Sequence, residues 1–119
     1  MRPLTPLLLS AGAAASLVIS SAFAATPKTL SGTVGPGFTI GLTQGGKAVK
    51  TLKAGSYTIA VTDKSNIHNF RLKGPGLNKE LMSVSAVGKK TIKLTLKKGT
   101  YTFVCDPHAS SMKGTFKVT

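Results

Sequence analysis

Cys105-Asp106-Pro107-His108 and, four residues further on, Met112 place a thiol, an imidazole and a thioether in one short stretch near the carboxyl end. The only other histidine, His68, lies far upstream in Asn66-Ile67-His68-Asn69-Phe70. One thiolate, two imidazoles and a weak thioether are the donor set of a mononuclear blue-copper site. Cu(I) favours soft donors at low coordination and Cu(II) favours nitrogen in tetragonal geometry, so a site fixed between the two rearranges little when an electron moves. The spacing Cys-x₂-His-x₃-Met lets one loop set three ligand positions: Cys105, His108 and Met112. His68 then has to come from a distant, rigid element.

Other chemistries fit these residues less well. Cys105 and His108 stand three residues apart across a proline, poor geometry for a thiol nucleophile and its base, and no orienting carboxylate or oxyanion-hole pattern accompanies them. With two histidines in all, no further copper centre of the kind an oxidase or nitrite reductase needs can be built. The expectation is a protein that is not an enzyme. Zinc would accept a Cys-His-His set, but the thioether favours copper. Met82 stands outside any motif and reads as packing or surface.

The elements that must position the ligands read as strands. Along most of the chain the hydrophobic period is two, and turn residues recur at short intervals, which marks an all-β domain. Leu30 to Val34 and Phe38 to Leu42 flank Gly35-Pro36-Gly37, and Gly45-Gly46 precedes Ala48 to Leu52. Tyr57, Ile59 and Val61 alternate with Thr58, Ala60 and Thr62. From Ile67 to Lys73, His68, Phe70 and Leu72 share one face while Asn69, Arg71 and Lys73 take the other. Leu77 to Gly88 reads as an irregular connection with room for a helical turn around Lys79 to Met82. Ile92, Leu94 and Leu96 form the next inward face, then Tyr101, Phe103 and Cys105, and finally Phe116 and Val118. His68 and Cys105 therefore both point inward, at ends of strands. Pro107 takes the chain out of the ladder because it has no N–H to donate.

The amino terminus reads as an export signal. Arg2 precedes a largely apolar stretch from Leu4 to Ile19, and Ala22-Phe23-Ala24 is a small-residue cleavage site. Residues 1–24 are expected to be a signal peptide and residues 25–119 a single domain, periplasmic or secreted. An uncleaved anchor is the alternative, but Ser10, Gly12 and Ser16 interrupt the apolar run, which falls short of the roughly 20 residues a span requires. A lone cysteine forms no intramolecular disulfide; in an oxidising compartment it must be buried, bound to metal or reactive, and metal binding explains its retention most simply.

Charge is the other compositional signal. Sixteen Lys and Arg against three Asp and Glu give a net charge of +13 on 119 residues. Such an excess steers a protein toward acidic partners or anionic membrane surfaces. It does not read as a specific nucleic-acid binder, because the lysines are spread along the strands and no aromatic stacking platform or groove-sized element accompanies them.

His68-Asn69-Phe70, Gly74-Pro75-Gly76 and the stretch from Thr100 through Cys105-Asp106-Pro107-His108 to Met112-Lys113-Gly114-Thr115-Phe116 resemble the small blue-copper proteins, the plastocyanin, pseudoazurin and amicyanin group of cupredoxins. The likeness is carried by roughly the last fifty residues and, before them, by strand pattern alone. It implies a Greek-key β-sandwich of about seven to eight strands and one Cu(II)/Cu(I) ion held by His68, Cys105, His108 and Met112. It also implies single-electron carriage between redox partners; the lysines would steer an acidic protein partner, and the chain is expected to act as a monomer. Electrons would pass through the exposed edge of His108, among Pro107, Ala109, Pro36 and Phe38. Asn69 would bond to Asp106 and tie the two ligand segments together. Asp106 departs from the more usual Ser or Thr, and a negative group beside the thiolate is expected to favour Cu(II) and lower the reduction potential. The ligands alone leave one other function open, a protein that binds or delivers copper outside any electron-transfer chain.

Overall fold

Alternation of apolar and polar residues is realised as strands almost throughout. The computed structural model describes residues 28–119 and, before them, Pro3 and Gly12 alone. Residues 1–24, expected as a signal peptide, and the boundary after Ala24 lie otherwise outside the described residues. The elements are β1 (Lys28–Val34), β2 (Ile40–Gln44), β3 (Lys47–Ala48), β4 (Thr51–Leu52), β5 (Gly55–Asp63), β6 (Phe70–Gly74), β7 (Leu77–Met82), β8 (Gly88–Leu96), β9 (Gly99–Val104), a 3₁₀ turn (Asp106–His108) and β10 (Lys113–Val118). Two of these ten strands, β3 and β4, are two-residue strands that take up only the two ends of the run expected to be one strand from Ala48 to Leu52, β3 starting one residue before it. Among the described residues no helix is long and apolar enough to cross a membrane.

The strands form two five-stranded sheets, ordered β3-β2-β1-β5-β8 and β4-β10-β9-β6-β7. Both are mixed: β1 runs parallel to β5, and β10 parallel to β4. Their inner faces share one core, in which Leu30, Val34, Ile59 and Val61 of the first sheet meet Phe70, Leu72, Tyr101 and Phe116 of the second. Each such side chain contributes about 1.5–3 kcal/mol on leaving water. Phe70, Phe103, Phe116 and Tyr101 stack in sequence at ring-centroid distances of 6.0, 6.4 and 5.3 Å. Gly74 and Gly114 let these rings lie against the neighbouring strands, since a Cβ at either position would overlap Tyr101 or Phe103.

Three expectations need correction. Leu77–Met82 is a strand, not a helical turn, because it pairs antiparallel with β6 as the sheet's edge. The strand carrying His68 begins later than its alternation suggests: Asn66 and Ile67 form a turn, and His68 and Asn69 precede β6. Asn69, placed on the outer face by parity, is fully buried. The irregular backbone ahead of β6 releases it from strand alternation, and the side chains of Asp106 and Glu80 engage it.

The register decides where the functional residues meet. Arg71 of β6 pairs with Val104 of β9, so the beginning of β6 lies beside the end of β9. His68, just before β6, and Cys105, just after β9, therefore leave the second sheet at the same end. Lys113 of β10 also pairs with Val104, returning the Cys105–Met112 loop to that end. In the first sheet, Val34 pairs with Asp63, bringing the Gly35–Thr39 turn and the Lys64–Ile67 connection over it.

Candidate metal centre

His68 Nδ1 and His108 Nδ1 lie 3.1 Å apart, and Cys105 Sγ lies 3.7 Å from the first and 3.6 Å from the second. The three atoms form a nearly equilateral triangle. A point equidistant from them is about 2.0 Å from each, close to first-row metal bonds to nitrogen and sulfur of about 2.0–2.3 Å. Among the described residues these three side chains form the only group of three or more histidine, cysteine or acidic residues that could hold a metal ion. His68 and Cys105 are fully buried and His108 is half-buried, so the centre has one imidazole at the surface.

The loop is closed by its own backbone. Cys105 N–H donates to Met112 C=O at 3.0 Å, Met112 N–H to His108 C=O at 2.8 Å and His108 N–H to Cys105 C=O at 3.1 Å. Pro107 in the 3₁₀ turn fixes one backbone angle and removes a donor that the ladder could not satisfy. Met112, at the end of this loop, is fully buried in the core cluster. Phe38, 61% exposed, stands edge-on to both imidazoles, its centroid 5.5 Å from that of His68 and 4.9 Å from that of His108. It lies in the turn before β2 instead of within a strand; Pro36 of the same turn is exposed, as are Pro107 and Ala109, the chain neighbours of His108.

Asn69 joins the two ligand segments. Asp106 N–H donates to Asn69 Oδ1 at 2.7 Å, and Asn69 Nδ2 donates to Asp106 Oδ2 at 2.8 Å and to Glu80 Oε2 at 2.9 Å. Arg71 Nε donates to the same Asp106 oxygen at 2.8 Å, while its other nitrogens reach Asn78 Oδ1 at 3.2 Å and Glu80 at 3.7 Å. The Arg71 guanidinium compensates the charge that Asp106 brings beside the thiol. Asp106 is therefore expected to lower the potential less than an isolated carboxylate would.

Burial by itself would raise the Asp106 pKa. The hydrogen bonds from Arg71 and Asn69, with the charges of Arg71 and Lys73, outweigh it and hold the carboxyl below its usual value. A depressed folded-state pKa gives stability that is present above the unfolded-state value of about 3.9 and is lost as pH falls through the folded one. Acid titration of the metal-free protein, followed by circular dichroism, should show unfolding below about pH 4 that Asp106→Asn makes shallower.

Sequence patterning misses Arg71 and Glu80 as site residues, and Asp63 as well. The rarity of acids is the signal available for two of them. The chain has three acidic side chains, and all three stand around this centre: Asp106 follows Cys105, Glu80 bonds to Asn69, and Asp63 holds Ser65, which with His68 lies against Gly35.

The model of a family described as copper binding proteins, plastocyanin/azurin family, matches residues 46–119. Among solved structures, reduced rusticyanin is similar at 23% identity and a TM-score of 0.57, over 79% of this chain and 81% of that one. A reduced mutant of amicyanin is similar at 15% identity and a TM-score of 0.51, over 79% and 85%. At these identities the likeness to solved structures concerns the fold. No curated protein matches the chain.

Proposed function

The chain belongs to the plastocyanin/azurin family of copper-binding proteins, and on that premise we propose that it carries single electrons between redox partners outside the cytoplasm. The observation that carries this reading is the triangle of His68 Nδ1, His108 Nδ1 and Cys105 Sγ. His68, His108 and Cys105 would hold the copper ion, with Met112 as a weak fourth donor. Bound copper supplies a Cu(II)/Cu(I) couple whose intense visible absorption arises from thiolate-to-copper charge transfer.

The protein's own residues do the rest. Two strand ends and a closed loop fix the donors before metal arrives, which limits rearrangement on electron transfer. Buried Met112 and Phe38 over the rings limit water at the centre, which tunes the potential. His108, at the surface among apolar residues, is the route for the electron. Lysines spread over the domain steer an acidic redox protein and give it affinity for anionic membrane surfaces. The exported domain, residues 25–119, works as a monomer in the periplasm or as a secreted protein. Burial of Cys105 and Met112 argues for retaining copper, against handing it on as a delivery protein.

The test is to add Cu(II) to the purified exported chain. An intense blue or green charge-transfer band at one copper per chain is expected, with reduction by an acidic electron donor that is fast at low salt and slowed at high salt. A colourless copper adduct would overturn the reading.

A further inference from the structure

Two buried polar atoms of the described residues have no hydrogen-bond partner, His68 Nε2 and Asp63 Oδ2. Native interiors leave few such atoms, and each one calls for a reason. These two are complementary, one a ring nitrogen able to donate and the other a carboxylate oxygen able only to accept. They also share one place in the fold. Asp63 ends β5 beside Val34, and its other oxygen, Oδ1, accepts the Ser65 N–H at 2.9 Å. A Cβ built on Gly35 would meet His68 Cδ2 at 3.3 Å and Ser65 Cβ at 3.2 Å. His68 and the Ser65 turn that holds Asp63 thus line one spot under Gly35, whose φ of +69° suits a residue without a side chain.

On the reading that His68 binds copper through Nδ1, its ring must be neutral and Nε2 must keep its hydrogen. That N–H is buried, and its cost falls on the metal site unless something accepts it. We propose that Asp63 is a positioning residue of the copper centre, its free Oδ2 accepting the His68 Nε2–H across one buried water. The role is separate from that of Asn69 and Asp106, which act on the Cys105 side. Its effects would be to fix the plane of the His68 ring and to place a buried negative charge behind a ligand, favouring Cu(II) over Cu(I). Burial raises the Asp63 pKa above its usual value, by more than the Ser65 N–H lowers it.

Asp63→Asn keeps the shape and removes the charge. In the blue protein it is expected to raise the Cu(II)/Cu(I) midpoint potential while leaving the charge-transfer band intact. Unmodified protein loaded with Cu(I) supplies a second measurement that needs no variant to fold. In its nitrogen-15 correlated NMR spectrum the His68 Nε2–H should be shifted downfield and exchange slowly with solvent, whereas the His108 Nε2–H exchanges fast. A blue Asp63→Asn protein with an unchanged potential would overturn the inference, and so would a His68 Nε2–H signal at an ordinary shift. Neither result touches the copper reading, which fails only if the unmodified protein stays colourless.

Discussion

Cys105→Ser is expected to abolish the intense visible band entirely while leaving a folded domain. The band needs a thiolate on copper, and the chain has no second sulfur of that kind. Serine is slightly smaller and fills the buried position with a hydroxyl, so the metal-free domain should lose about 1–2 kcal/mol of stability. Cu(II) would then bind only through His68 and His108, weakly and with the pale colour of nitrogen and oxygen coordination. Absorption and paramagnetic resonance spectra of the copper-loaded variant check this. Met112→Leu is the contrasting case: it preserves volume and the equatorial triangle, so the colour should persist, and loss of the thioether should raise the potential. Strong colour in Cys105→Ser would remove Cys105 from the centre, and loss of colour in Met112→Leu would make the thioether more than an axial donor.

Asn69→Ala is expected to be the most destabilising change among the polar residues around the centre that do not themselves bind metal. Asn69 satisfies the Asp106 N–H and donates to both Asp106 and Glu80. Truncation leaves a part-buried backbone donor unpaired and brings two carboxylates together with only Arg71 between them. One buried unsatisfied group costs about 1–3 kcal/mol, so a loss of about 2–3 kcal/mol in urea unfolding of the metal-free protein is the expected result. For a domain of this size that is a fall in Tm of the order of 10 °C. Because Asn69 is what couples the Cys105 loop to the His68 segment, the copper-loaded variant should also lose metal faster to a chelator. Stability within about 0.5 kcal/mol of the parent would show that Arg71 alone holds the loop.

The sequence was most informative where chemistry and periodicity are local. Strand alternation depends only on neighbouring residues, and it put Tyr57, Ile59, Val61, Phe103, Phe116 and Val118 on faces that are indeed buried. The loop from Cys105 to Met112 announced its donors by type and spacing, and the scarcity of histidine left His68 as the only candidate to complete them. Local patterning failed at chain segments whose conformation is set by distant partners. Leu77–Met82 has mixed polarity because it is an edge strand, with only part of it facing the core, and only pairing with β6 makes it a strand. Asn69 has the parity of an outer-face residue, yet it lies buried because Asp106, 37 residues away, bonds to it.

The balance of charges around the centre belonged to the tertiary structure. Sequence placed Asp106 beside the thiol as a negative charge; the fold brought Arg71 against it and altered what that charge can do. What the sequence by itself determined was an alternating β chain with a soft and nitrogenous donor set suited to one copper ion. What the tertiary structure decided was the size of the donor triangle, the compensation of Asp106, and the placing of Asp63 and His68 under one turn. The physical reason is range: side-chain alternation and loop spacing act over a few residues, whereas strand register joins residues dozens apart, and hydrogen bonds and charge pairs follow the register.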